Sequence, residues 1–235
     1  MPLAIDAMSC FSRLASSSAS AGFSSSLAAS RRDEKPEGDL QVTLRAALAG
    51  TNDSLRVQAL GLITRWKVAE LQESATTLAF SDGGSQATRL AAVRTLGELG
   101  TNETKRLAKL VDSDASPSLR IAGLESLARL DLSGAAKLGE DMLARNQAVD
   151  DVLQTFLNRE AGGDALTKAL TKARIGKAPA AAALAKLQSI GSSETKLMDY
   201  LGKVAGVKNN VPPYSARYVS SLAKAAAKAD AANGK

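Results

Sequence analysis

Leu55-Arg56-Val57-Gln58-Ala59-Leu60 returns as Thr88-Arg89-Leu90-Ala91-Ala92-Val93 and again as Leu119-Arg120-Ile121-Ala122-Gly123-Leu124. The arginines stand 33 and then 31 positions apart, a period at which one helical hairpin is laid down per unit and the hairpins stack. In the second helix of each unit Leu60, Ile63 and Trp66 are matched by Val93, Leu96 and Leu99, then by Leu124, Leu127 and Leu130. Steps of three, with Ala59 and Ala92 beside them, place these side chains on one buried helical stripe. Leu184, Leu187 and Ile190 continue the stripe 60 positions further on, and Val152, Leu153, Phe156 and Leu157 occupy the unit between, which makes five units.

The preceding helices carry weaker stripes: Leu40, Leu44 and Leu48; Leu71 and Leu78; Leu107, Leu110 and Val111; Leu138 and Met142; Leu166 and Leu170; Leu197 and Leu201. The breaks agree with this count. Gly50–Ser54, Ser81–Ser85, Asp112–Pro117 and Gly191–Ser193 are rich in residues that cap helix starts and tolerate left-handed turns. Pro117 and Pro179 suit first-turn positions, where no backbone amide is needed. A hairpin alone would leave one apolar face wet, so stacking is what stabilises the array.

Composition points the same way. Alanine supplies 44 of 235 residues and aromatic side chains only eight, a balance that favours closely approaching helices over sheets. The expected fold is all-α, a right-handed α-solenoid of about five helical hairpins. It divides into a Ser-rich leader at 1–36, a repeat domain at 37–206, and a linker with a C-terminal capping helix at 207–235. No apolar run reaches the roughly 18 residues that span a bilayer.

Cys10 is the only cysteine and histidine is absent, so an intramolecular disulfide, a Cys-x-x-Cys pair, a cysteine-based zinc site and histidine chemistry are all excluded. No cofactor or metal is implied by the residues present. The leader holds ten serines in its first thirty residues, with Arg13, Arg31 and Arg32 against Asp6 as the one acid before Asp33. It reads as an organelle transit peptide, or else as a disordered tail or a wrongly assigned start codon, and Arg31-Arg32 lacks the hydrophobic segment of a twin-arginine export signal.

Asp114-Ala115-Ser116-Pro117-Ser118-Leu119-Arg120, followed by Gly123-Leu124 and Leu127, resembles the HEAT repeat. In that family a turn aspartate and an arginine early in the second helix recur and bridge neighbouring units, which makes Arg56, Arg89, Asp114 and Arg120 the repeat-structural residues that the resemblance implies. The interval from Asp114 to Arg120 is six; Asp82 to Arg89 is seven and Asp53 to Arg56 is three, so the curve is expected to be irregular. A second resemblance rests on a HEAT-like array running into Ala231-Ala232-Asn233-Gly234-Lys235. It is similar to the junction in exported planctomycete and verrucomicrobial proteins, where a c-type haem domain follows the repeats. That resemblance implies an exported protein and a neighbouring haem or dehydrogenase domain, although no Cys-x-x-Cys-His occurs in this sequence.

Charge is uneven. Residues 162–235 hold 12 Lys+Arg against 4 Asp+Glu, whereas residues 1–161 hold 18 against 20. Lys168, Lys172, Lys177, Lys186, Lys196 and Lys203 are candidate anion-binding residues that could line one edge of the stack. The scarcity of aromatics and arginines among them argues against base stacking or bidentate readout of nucleic acid.

Catalytic patterns are sparse. Ser193-Glu194-Thr195-Lys196 and Ser221-Leu222-Ala223-Lys224 match Ser-x-x-Lys, but neither Ser-Asp-Asn nor Lys-Thr-Gly accompanies them, and Ser193 stands where a helix cap is expected. Glu140-Asp141 and Asp150-Asp151 are neighbouring carboxylates that point about 100° apart on a helix and read as solvent-facing charge. Ser81–Ser85 and Ala161-Gly162-Gly163-Asp164 read as turns rather than phosphate loops. Trp66 reads as a core plug, and Asn52 and Asn102 as helix starts. The expected task is non-catalytic, with a protein or peptide partner held on a concave face built by the second helices. A repeat segment of a haem-c dehydrogenase and a polyanion-binding module using the basic C-terminal third are the alternatives.

Overall fold

The computed structural model describes residues 40–81 and 83–207, together with the helical pair 219–220. The leader with Cys10, Asp82, Ser221–Lys224 and, apart from that pair, the capping helix expected at Tyr214–Asp230 lie outside the described residues. Among the described residues the chain forms eleven α-helices longer than that pair, one 3-10 turn and no strand. They are α1 Leu40–Ala49, α2 Asp53–Trp66, a 3-10 turn at Ala69–Leu71, α3 Gln72–Phe80, α4 Gln86–Leu99, α5 Thr104–Val111 and α6 Pro117–Leu130. α7 Leu132–Ala144, α8 Val149–Leu157, α9 Gly162–Ala173, α10 Lys177–Ser189 and α11 Thr195–Ala205 follow.

Local chemistry sets the boundaries. The side chains of Asn52, Ser85 and Asp131 accept hydrogen bonds from the amides of Leu55, Thr88 and Gly134 and so start α2, α4 and α7. Pro117 occupies the first turn of α6. Gly100 and Gly206 close α4 and α11 in the left-handed conformation, which glycine adopts without strain. Lys67, Asn146, Ala148, Ala161 and Arg174 adopt positive φ without being glycine, and four of these five fall between α7 and α10, where the repeat pattern is weakest.

The helices form two layers. α2, α4, α6, α8 and α10 pack side by side as one layer, and the remaining helices lie against it. Between the layers runs a continuous core in which Leu60, Ile63, Val93, Leu96, Leu124, Leu127, Val152, Leu153, Phe156, Leu184 and Leu187 are all buried. Full burial of each such side chain contributes about 1.5–3 kcal/mol. Trp66, Leu99 and Leu130, at the helix ends, are half-buried.

Several expectations need correcting. Ile190 follows the last residue of α10 and is 44% exposed, because the stripe outruns the helix. Leu71 is buried as expected but belongs to the 3-10 turn; in α3 the most buried apolar positions are Ala75 and Ala79, with Leu78 half-buried against the core, since the 3-10 turn resets the helical phase. In α7 the inward face is Ala135, Ala136, Gly139, Met142 and Leu143, with Leu138 half-buried. The fifth expected hairpin is also offset: α9 lies on α7, and α10 lies closest to α11 rather than to α9. Gly162 and Gly163 form the buried start of α9, not a free turn. A Cβ on Gly162 would overlap the Phe156 carbonyl. α4 and α6 approach so closely that a Cβ on Gly97 would stand 2.8 Å from Ser126 Cα.

Candidate functional site

The three recurring arginines occupy one structural position. Arg56 Nε donates to the Leu48 carbonyl at 3.1 Å, Arg89 Nε to Ala79 at 3.5 Å, and Arg120 Nε to Val111 at 2.8 Å. Each carbonyl belongs to the last turn of the preceding helix, where backbone acceptors lack intrahelical donors and the helix dipole favours a cation. Bridges to neighbouring units come from other atoms. Arg120 Nη2 donates to Gln147 Oε1 at 3.1 Å, and Asp53 Oδ1 accepts from Thr88 Oγ1 at 3.1 Å while pairing with Arg56 at 3.5 Å. Asp114 is exposed on the loop before α6 and does not reach Arg120, so the aspartate–arginine bridge implied by the resemblance is absent from this unit.

Along the layer of second helices, polar contacts recur one unit apart. Thr64 Oγ1 donates to Thr95 Oγ1 at 2.9 Å, and Ser126 Oγ donates to the Val93 carbonyl at 2.9 Å. Lys67 Nζ donates to the Glu98 carbonyl at 2.6 Å and pairs with Glu98 Oε2 at 3.2 Å, while Glu98 Oε1 pairs with Arg129. Arg94 pairs with Glu125 at 3.6 Å, and Arg159 Nη2 donates to the Glu125 carbonyl at 2.9 Å. Burial, and then the neighbouring Arg129, lower the Arg159 pKa, opposed by Glu125 and Glu98. Alternating charge thus ties α2, α4, α6 and the end of α8 into one surface. These partners lie more than thirty residues apart in sequence, so no local pattern announces them.

The six C-terminal lysines do not share one edge. Lys186 on α10 pairs with Asp150 on α8 at 2.6 Å, and Lys196 on α11 pairs with Asp164 on α9 at 3.0 Å. Lys177 opens α10 beside Gly206, and Lys203 is exposed on α11. Lys168 and Lys172 stand one turn apart on α9 and line a groove of about 1020 Å³ between α7 and α9. Lys137 of α7, which lies outside the expected set, lines the same groove.

Glu140 also lines this groove, and it is buried rather than solvent-facing, since α7 turns it onto the side where α9 packs. Burial, and then the Asp141 charge, raise its pKa above 4.5. Tyr200 of α11 donates its hydroxyl to the Leu170 carbonyl at 2.7 Å, and burial followed by Glu140 raises its pKa above 10.0. Hydrophobic patterning could not find Glu140, because an acid on an apolar face is indistinguishable in sequence from one on the flank.

The remaining motifs are structural. Lys196 reaches Asp164, which leaves Ser193 without a lysine base, and the position capping α11 is Glu194 rather than Ser193. Asn102 likewise stands outside α5, which Glu103 precedes. Trp66 packs on the core with its indole nitrogen buried and unpaired. Among the described residues no group of three or more acids, cysteines or histidines could hold a metal ion, and no helix is long and apolar enough to cross a membrane.

Against this geometry, the family model of HEAT repeats matches residues 41–128, the segment from α1 to α6 that carries the arginine ladder. Residues 41–128 are HEAT repeats. Helices α7–α11 continue the two layers beyond the matched segment with a looser pattern. Neither the curated proteins nor the solved structures gave a match. HEAT repeats commonly serve as protein-interaction scaffolds and are typically non-catalytic.

Proposed function

We propose that this protein is a non-catalytic scaffold that binds a protein or peptide partner on the outer face of the layer formed by α2, α4, α6, α8 and α10. The observation that carries the reading is the run of cross-unit contacts along that layer: Thr64–Thr95, Lys67–Glu98, Glu98–Arg129 and Arg159–Glu125. Each holds one helix against the next, so an extended surface stands ready before a partner arrives. A surface ordered in advance loses less conformational freedom on binding. The exposed positions Arg94, Gln154 and Ala185 are spread over three units, and such breadth suits many shallow contacts better than one deep pocket.

The test is affinity capture from source-cell extract by the full chain, with Arg94→Glu, Gln154→Lys and Ala185→Lys combined as the comparison. A protein retained by the native chain and lost from the triple variant supports the reading. Equal retention by both would place the contact elsewhere and refute it.

A further inference from the structure

The groove between α7 and α9 has a chemistry that the face of the second helices lacks, and it opens on the other layer. Its floor on α9 is formed by Ala165 and Ala169, small side chains that leave room between two helices packed closely together. Above that floor Lys168 and Lys172 are exposed, separated by one helical turn, which sets their Cβ atoms about 5–6 Å apart. Lys137 faces them from α7. These three lysines form no ion pair among the described residues, in contrast to Lys186 and Lys196, whose charges are taken by Asp150 and Asp164. Three lysines without an ion pair among the described residues, against the two carboxylates Glu140 and Asp164, leave this largely apolar trough with an excess of positive charge.

We infer that this groove binds an acidic peptide segment of a partner protein, with two or more carboxylates reaching Lys137, Lys168 and Lys172 and an apolar side chain between them resting on Ala165 and Ala169. A polyphosphate backbone fits less well. It offers nothing to an alanine floor, and its dense charge would be laid along a wall that also holds the carboxylates of Glu140 and Asp164. A peptide spaces its carboxylates and keeps them clear of those acids. The inference stands apart from the proposed use of the second-helix face, and either can fail without the other.

The experiment is selection of random displayed peptides on the full chain, with the Lys168→Glu, Lys172→Glu double variant as counter-target. Fluorescence anisotropy with the most enriched synthetic peptide follows. The expected result is enrichment of sequences that place Asp or Glu on both sides of an apolar residue. Their affinity falls at least tenfold in the double variant and in Ala169→Trp, which fills the floor and leaves the charges in place. Lys168→Arg with Lys172→Arg retains binding, as does Lys105→Glu on α5, outside the groove. Circular dichroism of each variant keeps loss of binding distinct from loss of fold. Failure to enrich acidic peptides overturns the inference, and so does binding indifferent to Lys168 and Lys172. A single-stranded oligonucleotide that binds more tightly than the peptide through the same lysines also overturns it, in favour of a polyanion site.

Discussion

Replacing Gly97 with alanine places a Cβ where the structure leaves no room, while the same substitution at Gly61 meets nothing within 4 Å. Both glycines lie inside long helices of the same layer, α4 and α2. Helix propensity alone would therefore stabilise each variant by about 1 kcal/mol. At Gly97 the new atom stands 2.8 Å from Ser126 Cα and Cβ and 2.9 Å from Ser126 Oγ, well inside the 3.5–4.0 Å optimum for carbon contacts. Two of those atoms are fixed to the backbone of α6, so a rotamer change cannot relieve the overlap. Either the two helices separate or Ser126 shifts and gives up its 2.9 Å hydrogen bond to the Val93 carbonyl. Overpacking costs about 1–3 kcal/mol and the hydrogen bond about 1 kcal/mol. Set against the propensity gain, Gly97→Ala should destabilise by about 1–3 kcal/mol while Gly61→Ala stabilises by about 1 kcal/mol. Urea unfolding followed by helical circular dichroism reads the difference as midpoints moving in opposite directions. Hydrogen exchange at α4 and α6 locates the damage, since stacked arrays can open unit by unit. A Gly97→Ala midpoint at or above that of the native chain would refute the close approach of α4 and α6, and with it the account of how the second helices are held.

Phe156 is fully buried where α8 meets the start of α9, and Phe156→Ala should cost about 3–5 kcal/mol by urea unfolding, with α7–α9 losing exchange protection before α2–α4. Arg120→Ala removes a 2.8 Å bond to Val111 and the contact with Gln147, and should cost about 1–2 kcal/mol; Arg89→Ala removes only a 3.5 Å bond and should cost less by the same assay. Glu140 ionises less readily folded than unfolded, because burial and Asp141 raise its pKa above 4.5. Well below pH 4.5 the carboxyl is protonated in both states, and as pH rises through 4.5 toward the folded pKa the unfolded chain ionises first and stability falls. Glu140→Gln should therefore flatten that part of the melting temperature profile and melt higher than the native chain at neutral pH. Parallel profiles for the two proteins would show that Glu140 is not desolvated.

Arg56, Arg89 and Arg120, the leucine steps and the capping residues at Asn52 and Ser85 are readable without coordinates, because helix formation and the choice of an apolar face depend on neighbours within one or two turns. That is enough to derive an all-helical array and its period. What each polar residue does depends on helices about thirty positions away. The arginines reach carbonyls rather than Asp114, Lys186 and Lys196 are ion-paired while Lys137, Lys168 and Lys172 have no ion pair among the described residues, Glu140 turns inward, and α10 packs on α11 instead of α9. Periodicity reports which side of a helix avoids water, and only the tertiary structure decides which other helix covers that side and which charges meet across the seam.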